Sequence, residues 1–188
     1  MEVEVSAEAK DKRLNRLVAI TVVVLSIFMA VCNIKDGNIV QAMQQAQSNS
    51  VDSWNEYQAT KTKLHISETS LSQLALVVQT PANKAQVDAD MKALEADIAK
   101  YKKEVPELAK QAKDFSAQYD ELNVHDDQFD ASEAMITAAI SLAAVAALCE
   151  TFWLVVGSWF FGGFGMFLGV CGFAKWAFHP DVLSNFLG

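Results

Sequence analysis

A chain of 188 residues with 52% hydrophobic content, 20% charged residues and a formal charge of -8 has a composition open to either a soluble domain or a membrane protein. The distribution excludes a mixed globular core, because apolar residues gather at 17–34 and 134–174 while nearly all the charge lies between them. Segment 35–130 holds 10 Lys against 16 Asp and Glu, a net of -6, which argues against nucleic acid as a partner.

Residues 1–16 form a basic N-terminal tail carrying Lys10, Lys12, Arg13 and Arg16. Segment 17–34 follows with 18 residues and no charge. A helix rising about 1.5 Å per residue needs roughly 20 residues to cross the hydrocarbon, so this is the expected transmembrane helix 1. A cleaved signal peptide also starts with a basic region, but this run exceeds an apolar core of about 7 to 15 residues and has no small-x-small cleavage site at its end.

The stretch "NIKDGNIVQAMQQAQ" (33–47) then leads out of the span. Ile39 follows Ile34 by five residues, which is off helical phase, and Asn38 is able to cap a new helix. "KDGN" is therefore read as an interfacial joint. The competing reading, one continuous helix, places Gly37 in a helix interior at a cost of roughly 1 kcal/mol.

From Val87 the apolar positions run Val87, Met91, Leu94, Ile98, Tyr101, Val105, Leu108, Ala112, Phe115, Tyr119 and Leu122, in alternating steps of four and three. This heptad seam predicts a long packed helix. The segment before it carries a more polar stripe of Ile39, Met43, Ala46, Ser50, Tyr57, Lys61, Leu64, Leu71 and Val78, with Trp54 beside it. Between them "QTPAN" predicts a turn near 79–83, with the Thr80 side chain accepting from free N–H groups and Pro81 in the first helical position. A turn this short makes the two arms antiparallel neighbours. Pro106, which lacks an N–H, predicts a kink or break near 102–105.

The second apolar block, 134–174, has 41 residues with Glu150 as its only charge, twice the length of one crossing. It must fold back. Trp153 and Trp176 are 23 residues apart, matching the separation of the two interfacial belts. Transmembrane helix 3 is placed at 153–176 with Thr151 capping it and Glu150 in the turn. Transmembrane helix 2 then occupies 131–149, and 177–188 is a C-terminal tail. The expected fold is an all-α membrane protein of three transmembrane helices, with a long antiparallel coiled-coil hairpin (35–130) between the first and second.

"RLNRLVAITVVVLSIFMAV", "IKDGNIVQAMQQAQ" and "DSWNEYQATKTKLH" together resemble a widespread bacterial family of integral membrane proteins catalogued as a domain of unknown function. The likeness extends over nearly the whole chain, and "NIVQAMQQAQ" and "WNEYQA" are its most specific parts. It implies a bacterial inner-membrane protein, and it brings no activity or catalytic residues.

Three groups of residues are candidate sites. Ser158, Gly162, Gly165, Gly169 and Gly172 put small side chains on one face of the third span, where helix backbones can approach closely. That face serves either packing within the chain, against Ala134, Ala138, Ala139, Ser141, Ala143 and Ala146, or assembly between copies. Asp126, Asp130 and Glu133 share a helix face that could hold a hard cation, although acids before a membrane helix also stabilise its positive dipole end, which is sufficient to explain them. Asn38, Gln41, Gln45 and Ser48 form a possible amide collar just outside the membrane.

His65 and Glu68 lie one turn apart without the repeated Glu-x-x-His motifs of di-metal bundles. Neither a phosphate-binding loop nor a nucleophile elbow or paired zinc-spaced Cys occurs, and Cys32, Cys149 and Cys171 all lie in the apolar runs. The expectation is a protein without enzymatic activity or cofactor, structural or interaction-forming, homo-oligomeric through its spans and hairpin, with the lipid bilayer and a protein as partners. The alternative is an oligomeric channel lined by the third span or the collar. Four basic residues before the first span against Lys35 behind it place the N-terminus in the cytoplasm and the hairpin in the periplasm or outside.

Overall fold

The computed structural model describes residues 2–78 and 80–176, with side chains from Lys12 onward. The tail 177–188, Gln79 of the predicted turn and the Lys10 side chain lie outside the described residues. Among these residues the chain is all-helical: α1 (Glu2–Leu74), α2 (Lys84–Leu148) and α3 (Phe152–Ala174), with no strand. Each helix contains a segment long and apolar enough to cross a membrane. In α1 only 17% of that segment is buried, leaving Ile20, Val23, Val24, Ile27, Val31 and Ile34 exposed.

The expected joint at "KDGN" is absent, since α1 runs through Lys35, Asp36, Gly37 and Asn38 without interruption. The physical reason lies in the phase. Ile34 is 70% exposed and is no part of the inward stripe. The inward residues from Cys32 onward are Cys32, Asp36, Ile39, Met43, Ala46, Ser50, Ser53, Tyr57, Thr60, Leu64, Ser67, Leu71 and Leu74, all buried or half-buried and in alternating steps of four and three. Asp36 fills the position that made the apolar pattern look broken. Gly37 has open space where a side chain would begin, so only its backbone cost of roughly 1 kcal/mol opposes the helix, and the packed stripe offsets it.

The molecule divides into two compact units, residues 44–120 and the combination of 1–43 with 121–188. In the 44–120 unit every predicted seam position of α2 from Val87 to Tyr119 is buried or half-buried, and most of the residues between them are exposed. The α1 stripe is richer in small hydroxyls than expected. Lys61 and Val78 are exposed, and Ser53, Thr60 and Ser67 take the inward positions instead. Ser50 Oγ donates to the Ala112 carbonyl at 3.1 Å and shares a 2.9 Å hydrogen bond with Ser116 Oγ. Glu68 accepts from Lys102 at 3.0 Å and lies 3.6 Å from His65.

α2 starts at Lys84 rather than at Pro81. The Thr80 backbone carbonyl, not its hydroxyl, accepts from the N–H groups of Asn83 and Lys84. Asn83 ties the turn, its side chain accepting from the Thr80 N–H and donating to the Val78 carbonyl. No break occurs at Pro106, which lies inside α2.

In the other unit, α2 ends at Leu148 and α3 starts at Phe152, with Glu150 in the left-handed region at φ 51°. Thr151 occupies the N-cap position as expected, but its hydroxyl donates to the Cys149 carbonyl and does not cap α3. Leu14, Val18, Ala143, Ala146 and Val155 form one apolar cluster; Leu25, Ile136 and Ala139 form a second.

Candidate functional site

The five small residues of α3 are all buried, and the four glycines lie against the chain's own α1 and α2. A side chain starting at Gly162 would meet Leu25 at 3.0 Å, at Gly165 Ile136 at 2.8 Å and the Ser132 carbonyl at 3.0 Å, at Gly169 Phe28 at 2.7 Å, and at Gly172 Phe129 at 2.8 Å. These four glycines therefore seat large side chains of two other helices against one backbone. Ser132 Oγ closes the contact by donating to the Gly165 carbonyl at 2.7 Å. Ser158 differs from the others: its hydroxyl is buried without a hydrogen-bond partner.

At the far end of α3 the Phe129 ring meets Phe173 edge-on, with centroids 5.1 Å apart. His125, 9% exposed, donates through Nδ1 to Gln128 Oε1 at 3.2 Å, and fully buried Gln128 donates through Nε2 to the Trp176 carbonyl at 2.9 Å. This relay satisfies buried polar groups where α2 meets the end of α3.

Beside this relay the acidic residues collect. Extending the α2 seam past Leu122 gives Asp126 and then Phe129, just as extending the α1 stripe past Cys32 gives Asp36. Two facing seams thus each carry an aspartate, and the two carboxyls meet. Oδ1 of each is buried without a hydrogen-bond partner, so neither of these two acceptors is compensated by a donor. Burial, followed by the charge of Asp126, a hydrogen bond to Asp126, and the charges of Asp130 and Glu133, pushes the Asp36 carboxyl up to about 7. Burial also raises Asp126, against the opposing effect of its hydrogen bond from Asp36 and with help from Asp127. Asp130, although exposed, is raised by partial desolvation and then by Asp126, Glu133 and Asp127. The pair is built to hold one proton between two carboxyls near neutral pH.

Of the predicted cation face, Asp126 therefore turns to Asp36, while Asp130 and Glu133 are exposed. Among the described residues no group of three or more His, Cys, Asp and Glu is arranged to hold a metal ion. Asp36 is the residue that sequence reasoning missed. The signal for it was the heptad phase, had that phase been extended across polar positions. The collar residues Asn38, Gln41, Gln45 and Ser48 are all exposed, and Gln45 donates to Asn49 at 2.8 Å.

No curated protein and no solved structure matches the chain. The model of one family, described as a domain of unknown function, matches residues 14–175, which takes in nearly all of the three helices and both aspartates of the pair. The chain belongs to that family, DUF4337.

Proposed function

We propose that this chain is a non-enzymatic integral protein of the bacterial inner membrane, with a cytoplasmic N-terminus, that displays an antiparallel helical hairpin as a scaffold for assembly with further copies of itself or another protein. The observation that carries the reading is the continuity of α1, in which one inward stripe runs from Cys32 to Leu74 on a helix that also contains the most apolar segment of the chain. Such a helix carries the chain from the apolar segment into the arm without leaving helical backbone. Opposite chain directions are supported by the order of contacts, in which Ser50 meets Ala112 and Ser116 while Glu68 meets Lys102.

Assembly is assigned to the exposed faces, because the α3 glycines are occupied by the chain's own α1 and α2. Val51 at 54% and Ile66 at 60% exposure supply apolar contacts on the outside of α1. The test is detergent extraction followed by mass measurement. A stable multimer that Val51→Glu and Ile66→Glu disperse supports the scaffold; a clean monomer at all concentrations removes it. A conduit is the second reading, favoured by the exposure of all four collar residues. Planar-bilayer recording separates the two, since a scaffold gives no conductance and Gln41→Lys changes nothing.

A further inference from the structure

A groove runs along α1 and α3 with opposite charges at one end and apolar walls at the other. Its wide end is a cavity of about 730 Å³ lined by Arg13, Leu17, Glu150, Phe152, Trp153 and Trp159 among others. A second cavity of about 350 Å³ shares Leu17 and Trp159 with the first and continues past Ile20, Val24, Gly163 and Met166. Trp159 Nε1 donates to Thr21 Oγ1 at 2.9 Å, so the polar atoms where the two cavities join are satisfied and the lower wall is apolar. Gly163 keeps that lower part open, with nothing within 4 Å of where its side chain would begin.

Length and charge identify the occupant. Arg13 and Val24 lie 11 positions apart on α1, about 16 Å of rise, and one leaflet of a bilayer with a hydrocarbon core of about 30 Å is about 15 Å deep. The groove thus has the depth of one leaflet, with its polar mouth at the level of two tryptophans, the side chains that prefer the membrane interface. Among the described residues neither Arg13 nor Glu150 makes an ion pair, although both line the mouth. Glu150 also holds a left-handed backbone, where glycine or asparagine would sit with less strain, so its carboxylate is placed there against local preference. The free N–H groups at the start of α3, left without a side-chain cap, add positive potential beside Arg13.

We propose that this groove binds one aminophospholipid, with its phosphate at Arg13, its primary ammonium at Glu150 and one acyl chain laid along Ile20, Val24, Gly163 and Met166. A glycerol headgroup of net negative charge leaves Glu150 with repulsion, and a choline headgroup has no N–H to donate to it. The proposal rests on the membrane reading above.

The test begins by washing membranes with alkaline carbonate. Full-length protein that stays in the membrane is then exchanged into nanodiscs of phosphatidylethanolamine, phosphatidylglycerol or an equal mixture, released into detergent and analysed for retained lipid by native mass spectrometry. Wild-type protein from the mixture retains one phosphatidylethanolamine per chain. Glu150→Gln lowers the ratio of ethanolamine to glycerol lipid by about tenfold, the loss of one charge-assisted contact. Gly163→Leu, which fills open space, abolishes retention of both lipids while the helical circular dichroism is unchanged. Equal retention of the two lipids, or an unchanged ratio in Glu150→Gln, overturns the proposal. Protein that stays in the membrane and retains no lipid overturns it alone, whereas release by carbonate overturns the membrane reading with it.

Discussion

Replacing Gly165 with alanine adds one methyl group where three residues of α2 press on the α3 backbone. That methyl would stand 2.8 Å from Ile136 Cγ1, 3.0 Å from the Ser132 carbonyl and 3.1 Å from Met135 Cβ. Ile136 is fully buried and the carbonyl is backbone, so neither can move aside without separating α2 from α3. Overpacking of this kind costs about 1–3 kcal/mol. Separation also weakens the 2.7 Å hydrogen bond from Ser132 to the Gly165 carbonyl, worth about 1 kcal/mol net. Helix propensity returns at most about 1 kcal/mol. The net expectation is a loss of about 1–3 kcal/mol. Gly163→Ala is the internal control, because it gains the same propensity and meets nothing within 4 Å. Unfolding both variants in mild detergent by titration with a denaturing detergent, followed by tryptophan fluorescence, gives the difference directly. Equal midpoints for the two variants would refute the packing of α3 described above.

The Asp36–Asp126 pair makes the apolar unit sensitive to pH: with Asp36 raised from 3.8 to about 7, the folded state holds a proton that the unfolded chain has released, so stability is highest below about 4, declines as pH rises to about 7 and is level above it. Asp36→Asn should flatten that part of a stability-versus-pH curve, and a curve of unchanged slope would show that Asp36 does not carry it. Ser158→Ala removes a buried hydroxyl that has no hydrogen-bond partner, so the same detergent titration should show stability unchanged or raised by up to about 1 kcal/mol. Ser50→Leu makes the α1 stripe more apolar yet should destabilise the 44–120 unit by about 1–3 kcal/mol in thermal unfolding, since Ser50 faces fully buried Ala112 and bonds its carbonyl.

Much of this structure was legible because periodicity survives without knowledge of partners. The α2 seam from Val87 to Leu122 and the small face of α3 both came from counting steps, and both sets of residues face inward. What failed was the assumption that an inward position must be apolar. Asp36, Ser53, Thr60 and Ser67 hold inward places along α1 that hydropathy assigns to solvent, so the apolar pattern alone favours Lys61 over Thr60 and puts a joint at "KDGN". Small hydroxyls fit where two helices approach closely, and a carboxyl fits where a second one shares its proton. Neither condition is visible until the facing helix is known. The turn was missed in detail for a similar reason, because Asn83 acts through a side chain that reaches back to Val78 and Thr80.

The continuity of α1 through Gly37 carries the functional proposal, and a distance across it is its most direct test. Spin labels at Val24→Cys and Gln41→Cys, both exposed positions on either side of Gly37, would be placed on a chain whose three native cysteines are replaced. A separation of 17 positions along unbroken helix predicts one narrow distance distribution centred at about 25 Å by double electron–electron resonance. A broad distribution, or one centred well below that value, would mean that the helix ends at "KDGN" and would contradict the account.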